Sequence, residues 1–421
     1  MNLRKYILPV LIKGNRVRYF FWALYAQVLI SLRVRRVRRL RRPIRVAFLT
    51  RGATSLWFER VFDMMRANER FEPQYVILPF VGHGDEAEVK ARTRTYDDLV
   101  AIVGEHCVRQ TWNGTSYDDI IGDFDICLTM NPYDNLTTKP YRISTIATRG
   151  IPVVYCRYFT DSGTRFTASR QNRQKEMFFL WRFYLDNQRV VAEVARHQPL
   201  LRVFNRLRAA GIPKTDKLAE AQVCVRARKR VILAPHHSVG ENKLFWIGNF
   251  PSYREFYLAL PKRYPQIDWV WRPHPLLYTR MMEVGLWSSE QRDAFHRQMT
   301  SFANVEYQDG GAYYDTFVNS DGLIQDCASF LAEYTYTGKP QCFILRNPQE
   351  KTEEFTEYGR DLLSHTYQAY SENDIISFIE NVILKGDDPM RDDRERFAPT
   401  IKHNYPHASE AIFEELKHSL G

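Results

Sequence analysis

Short apolar runs alternate with stretches of helical spacing over most of the chain, which predicts open α/β sheets with helices on both faces. The clearest unit is 319–345, NSDGLIQDCASFLAEYTYTGKPQCFIL. Gly322-Leu323-Ile324 closes a strand, Asp326 to Ser329 is a small-residue turn with N-cap character, and 330–337 is a short helix. Gly338-Lys339-Pro340 stops that helix, and 341–345 is the next strand. Such a turn leaves backbone N–H groups and the positive end of a helix dipole facing any ligand, so it is a candidate anion site.

The same pattern predicts a first domain with strands at 44–50, 74–79, 124–130 and 151–156, and helices at 56–67, 96–105 and 141–148. Small-residue turns follow at 51–55 and at Gly82-His83-Gly84, and 173–194 reads as one long helix rich in aromatics. Residues 198–230 hold few strand signals and read as the crossover between domains. A second domain begins with a strand at 231–234, then a helix at 253–262 and strands at 267–271 and 304–306. Helices at 287–299 and 312–318 lead to the 319–345 unit, and the remainder reads as largely helical. The expected architecture is α/β: two doubly wound, Rossmann-like domains facing a cleft. Its parts are a basic amphipathic membrane-surface segment 1–42, an acceptor-side domain 43–215, a nucleotide-donor domain 216–390 and a tail helix 391–421.

The charge sharpens this picture. The formal charge is +10, yet thirteen of the 59 Lys/Arg lie before residue 46, where no acidic residue occurs, leaving 46 basic against 49 acidic in the body. A near-neutral body is poorly suited to tracking a phosphate backbone, so nucleic acid is not expected as a partner. The apolar run 19–32 is interrupted by Gln27 and Ser31 and is shorter than the roughly 20 residues a bilayer crossing requires. No small-residue cleavage site follows it. Aromatics beside a polybasic stretch suit a helix lying on an anionic membrane surface, the alternative being a helix packed on its own domain. The six cysteines show neither CxxC nor close Cys/His spacing, so no zinc site and a reducing, cytosolic setting are expected.

Candidate chemistry gathers after the strands of the second domain. His236, His237 and Ser238 follow the first, Arg272 and His274 the second, and the turn with Asp326, Ala328 and Ser329 comes last. These offer donors and positive charge to a pyrophosphate. Two prolines fix the backbone of His274. His236 and His237 are adjacent, so on an extended backbone they point opposite ways. Glu333, one turn beyond Ser329, suits ribose hydroxyls better than phosphate.

Those residues stand in a pattern that resembles the CDP-glycerol:poly(glycerophosphate) glycerophosphotransferases, the teichoic-acid primases and polymerases, with their glycosyltransferase-B-like fold. ILAPHH at 232–237, WRPHP at 271–275, SDGLIQDCASFLAEY at 320–334 and GKPQCFI at 338–344 match in order, as does QTWNGT at 110–115. The resemblance implies functional roles for His274, Asp326, Ser329 and Glu333. Ala328 stands in place of a serine, and Asn113 in place of the family's first-domain histidine, which is taken as the base. Asparagine holds a phosphate or hydroxyl by hydrogen bonds but has no useful pKa. Asp118, Asp119, His83 or Glu241 are then alternative bases.

The resulting expectation is a peripheral enzyme at the cytoplasmic face of the plasma membrane. It would move a polyol phosphate from a CDP-linked donor to a lipid-linked or polymeric saccharide of the cell envelope. His274, Asn113 and His236 would be catalytic, and His237, Ser238, Arg272, Asp326, Ala328, Ser329 and Glu333 would bind the donor, with no cofactor or metal called for. The alternatives are a glycosyltransferase using a nucleotide sugar, and a non-catalytic scaffold that retains a nucleotide pocket.

Overall fold

A computed structural model describes residues 15–52, 56–79, 85–130, 132–240 and 246–421. It divides into two compact units, one built from 1–158, 170–214 and 407–421, the other from 159–169 and 215–406. The turn residues 53–55, the loop 82–84 with His83, and Glu241 lie outside the described residues.

The first unit carries a seven-stranded parallel sheet of order β3-β2-β1-β4-β5-β6-β7. Its strands are β1 (Ile44–Thr50), β2 (Phe71–Ile77), β3 (Val108–Gln110), β4 (Ile126–Thr129), β5 (Val153–Cys156), β6 (Arg182–Leu185) and β7 (Leu207–Ala209). The inner strands are buried along their length, which is why they read as continuous apolar runs. The single helix expected over 173–194 is not formed. Short turns of 3₁₀ helix at Gln171–Arg173 and Lys175–Phe179 lead into β6, and the helix is Gln188–His197. Arg182 broke the strand pattern because its buried guanidinium has distant partners, Glu415 at 2.8 Å and Ser419 at 2.8 Å, on the C-terminal helix Ala408–Leu420. That helix, expected in the tail, belongs to the first unit, while 391–406 belong to the second.

The helix Asn15–Val37 lies on the same unit. Ala23, Ala26, Gln27, Ile30, Val34 and Val37 are buried. Gln27, which interrupts the apolar run, is the latch. Its amide donates to the carbonyls of Phe178 and Leu180, both at 2.9 Å, and accepts from Arg206 Nε at 3.0 Å.

The second unit carries a six-stranded parallel sheet of order β10-β9-β8-β11-β12-β13. Its strands are β8 (Lys229–Ala234), β9 (Ile267–Trp271), β10 (Val305–Tyr307), β11 (Gly322–Gln325), β12 (Gln341–Ile344) and β13 (Tyr367–Ala369). Trp269 and Trp271 of β9 are buried in an aromatic core with Phe250, Tyr257 and Phe295. Truncating either tryptophan to alanine is expected to cost about 3–5 kcal/mol. The strand order turns back on itself between β8 and β11, the position at which open α/β sheets bind ligands.

Candidate nucleotide site

The loops at that reversal are tied together by a buried carboxylate. Asp326, directly after β11, accepts the backbone N–H of His236 at 2.6 Å and the backbone N–H of Asn249. Burial pushes its carboxyl up to about 7, even though both N–H groups favour the charged form. Asp326 was expected to touch the donor. It is instead fully buried and fixes the turn after β8 to the start of the helix Phe250–Arg263. Gly248 permits this close packing, since a Cβ there would lie 2.9 Å from the His236 carbonyl oxygen. Asn249 completes the tie, its amide donating to the carbonyls of Ile247 at 2.9 Å and Ile344 at 3.2 Å.

After Pro235 the chain leaves the extended form. The N–H of Val239 reaches the His237 carbonyl at 2.8 Å, and the N–H of Ser238 reaches His236 Nδ1 at 3.2 Å. Both rings therefore fall on one side instead of pointing apart. The ring centres of His236 and His237 are 4.2 Å apart, and His274 lies 4.0 Å from His237 and 5.1 Å from His236. His274 is held by its own N–H on the Pro235 carbonyl at 3.0 Å, and its Nδ1 accepts the N–H of Leu276 at 3.1 Å.

These contacts decide the chemistry of the cluster. Burial, then the neighbouring His237, lowers His274 to about 4. Burial also lowers His236 and His237, so the rings are neutral at neutral pH. With Nδ1 of His236 and His274 accepting backbone N–H groups, the ring proton of each sits on Nε2, and His274, which lines the cavity at these strand ends, is the one that presents its N–H there. The ligand nitrogens of the three histidines lie within 4.8 Å of one another, close enough for a cation. A metal on Nε2 of His236 or His274 would need the opposite tautomer, with Nδ1–H facing a backbone N–H, so His274 is arranged for an acceptor such as a phosphate oxygen.

A cavity of 250 Å³ opens at the ends of these strands, lined by Pro235, His274 and Ser329 among others. His274 and Ser329, from two different loops, thus face one space. Ser329 is the second residue of the helix Ala328–Thr335, whose N-cap, Cys327, makes no side-chain capping bond. The Cys327 thiol lies 3.4 Å from Ser329 Oγ, and Ala328 is buried at the helix start.

Several expected ligand groups serve structure. Arg272 lines the cavity, but its guanidinium donates to Gln308 at 2.8 Å and to the carbonyls of Gly310 at 2.8 Å and Gly311 at 2.7 Å. It therefore holds the loop after β10 and does not stand ready for a pyrophosphate. Ser238 supports His236 at 2.8 Å and is itself held by the N–H of Ile247 at 3.2 Å, outside the cavity lining. His236 is buried and does not line the cavity. Glu333 is buried, and its carboxylate accepts the Tyr313 hydroxyl where a ribose hydroxyl was expected.

Asn113 lies in the first unit. Its oxygen accepts the N–H of Thr115 at 3.0 Å and Ser116 at 2.8 Å, while its nitrogen donates to Asp118 at 2.7 Å and Ser116 Oγ at 3.3 Å. The side chain builds a tight turn closed by a bridge between Trp112 and Tyr117, instead of offering donors to a phosphate. Of the alternative bases, Asp118 is engaged with Asn113, and Asp119 pairs with Arg149 at 2.8 Å.

Sequence reasoning missed Tyr313 and the Gly310-Gly311 loop, which also line the cavity. Both glycines have positive φ, 66° and 69°, so the loop needs residues without Cβ. The Gly-Gly pair, separated from β10 only by Gln308 and Asp309, was the signal available for it.

No family model matches the chain, and no curated protein matches it. Among solved structures it is similar to UDP-GlcNAc 2-epimerase from Neisseria meningitidis bound to UDP-GlcNAc, with a TM-score of 0.55 and 14% identity over 89% of this chain and 100% of that one. It is also similar to the wall teichoic acid polymerase TagF, with a TM-score of 0.56 and 12% identity over 96% of this chain and 98% of that one. The S. aureus MnaA–UDP structure gives a TM-score of 0.53 and 11% identity over 90% of this chain and 97% of that one. The fold is that of the glycosyltransferase-B group. Two parallel-sheet α/β domains of seven and six strands carry it in this chain.

Proposed function

We propose that this chain is a transferase of cell-envelope polymer synthesis, using a nucleotide-activated donor, with a CDP-linked polyol phosphate as the favoured one. The observation that carries the reading is the cavity at the β8/β11 reversal, where the neutral donor ring of His274 and the helix start at Ser329 face one space. The resemblance of the motifs around these two residues to glycerophosphotransferases, and the likeness of the fold to a teichoic acid polymerase, support the polyol phosphate. The acceptor hydroxyl of an envelope saccharide would attack the β-phosphorus, forming one P–O bond. The bond to the bridging oxygen would break, CMP would leave and the hydroxyl proton would pass to water. His274 would donate a hydrogen bond from its Nε2–H to the departing phosphate, keeping its proton, and the N–H groups at Ser329 would stabilise the same charge. A lipid-linked acceptor goes with a peripheral position at the cytoplasmic face of the plasma membrane.

A second reading is a glycosyltransferase, in which the acceptor attacks a sugar carbon and a nucleoside diphosphate leaves. Asn113 favours it, because a turn-building amide accepts no proton where the first reading's relatives carry a histidine. The likeness to structures holding UDP-GlcNAc and UDP points the same way. A melting-temperature screen with CMP, CDP, UDP and GDP tests both. Stabilisation by the cytidine nucleotides alone is expected, and stabilisation by UDP or GDP with none from CDP overturns the glycerophosphate reading. Product analysis then separates transfer at phosphorus, releasing nucleoside monophosphate, from transfer at carbon, releasing diphosphate.

A further inference from the structure

The helix Asn15–Val37 has two apolar faces, and its own domain covers only one of them. Through Ala23, Ala26, Gln27, Ile30 and Val34 it is latched to the first unit. The opposite face leaves Phe21 62%, Tyr25 58%, Val28 49% and Leu32 47% exposed. These four recur at spacings of four, three and four residues, so they form one continuous stripe along the helix. A packed helix ordinarily turns polar residues to water on that side, and a contiguous exposed apolar strip marks a contact surface.

The charge around the stripe indicates what it contacts. Arg18 lies over the Trp22 ring at 4.4 Å near one end, and Arg35, Arg36 and Arg39 are exposed at the other. No acidic residue occurs before residue 46. Among the described residues no helix is long and apolar enough to cross a membrane. A cationic helix that keeps an apolar stripe outward, fixed to a folded domain along its other side, fits the boundary between acidic headgroups and acyl chains.

We propose that this stripe is the docking surface of the chain on an anionic lipid bilayer. Phe21, Tyr25, Val28 and Leu32 enter the acyl boundary, the arginines sit among the headgroups, and the first unit rides rigidly on the helix because Gln27 locks it there. The surface belongs to the first unit and the donor cavity to the second, so nucleotide binding and vesicle binding are read separately.

The test is sedimentation of the full chain with vesicles of equimolar phosphatidylglycerol and phosphatidylcholine, against phosphatidylcholine alone. Binding to the anionic vesicles that weakens with salt is expected. The quadruple change F21S/Y25S/V28S/L32S should lower partitioning by about 100-fold or more. Val28→Asp alone should reduce it about tenfold, and it provides a second reading should the quadruple variant lose its fold. Failure of the unaltered chain to bind, or unchanged binding by both variants, overturns the proposal. A dimer in sedimentation velocity that these substitutions dissolve, with no vesicle binding, overturns it too and makes the stripe a contact between copies.

Discussion

The carboxylate of Asp326 accepts the backbone N–H of His236 at 2.6 Å, and through this contact a residue that never reaches the cavity sets the position of the histidine cluster. The same carboxylate receives the N–H of Asn249, so one side chain joins the loops after β8 and β11 to the helix start at Phe250. Asp326→Ala leaves both buried N–H groups unpaired, with an expected loss of about 2–4 kcal/mol in urea unfolding. The folded carboxyl, at about 7, lies above the ordinary aspartate value of about 4. The native state therefore holds this proton more tightly than the unfolded chain. The stability Asp326 contributes is full below about pH 4 and is lost as pH rises through about 7. The gap between the parent chain and the alanine variant should thus narrow from pH 5 to pH 8. A gap that widens would contradict the burial of this carboxyl.

His274 carries the opposite sign. Its value of about 4 in the free protein lies below the ordinary histidine range, so the ring is neutral at pH 7. A phosphate at Nε2 accepts the ring N–H, while the Leu276 N–H on Nδ1 keeps a second proton off the ring. The ring should therefore stay neutral in the complex, and calorimetry of CDP binding in buffers of different ionisation enthalpy should give the same proton balance for the parent chain and His274→Gln, which keeps an N–H donor. A proton uptake that His274→Gln abolishes would contradict the neutral ring. His274→Ala, which removes the donor, should weaken binding by about 10-fold or more, the worth of a hydrogen bond to a charged group.

Asn113 should behave as a turn residue. Asn113→Ala removes the oxygen that accepts two backbone N–H groups and the amide that ties Asp118. The expected result is a loss of about 1 kcal/mol in the stability of the first unit, as for other local side-chain caps. The melting shift given by nucleotides should not change. A nucleotide shift that disappears with this variant would restore Asn113 to the binding machinery.

What the sequence revealed follows from how burial is distributed. The central strands β1, β4, β5, β8, β9, β11 and β12 are apolar along most of their length, and each was legible as a run. The edge or near-edge strands β3, β7 and β13 have three residues each with partial exposure, too few positions to set a period. β6 was read as helix because Met177 to Leu185 holds no Gly or Pro boundary, and the partners of Arg182 lie more than 200 residues away. At the site, His274 and Ser329 were legible because they face the space between strand ends. The roles of Asp326, Arg272 and Glu333 were not. A buried polar side chain is claimed by whatever donor or acceptor the fold brings to it, and sequence spacing does not record that partner.

Gln27 gives the sharpest case, since a polar residue in an apolar run reads as a defect and proves to be the attachment point. Its side chain is fully buried, and its three hydrogen bonds reach Phe178, Leu180 and Arg206. Gln27→Leu keeps the size and raises the apolar character, so an apolar-packing account predicts a neutral or stabilising effect. The hydrogen-bond account predicts the reverse. Two carbonyls and the Arg206 guanidinium would be left without this partner in a site where burial already lowers the Arg206 pKa to about 10. Unpaired buried groups of this kind should cost about 2–4 kcal/mol. Limited proteolysis should then cut within 15–37 in the variant while the rest of the first unit persists, whereas an unchanged digestion pattern and melting temperature would show that apolar packing alone holds the helix.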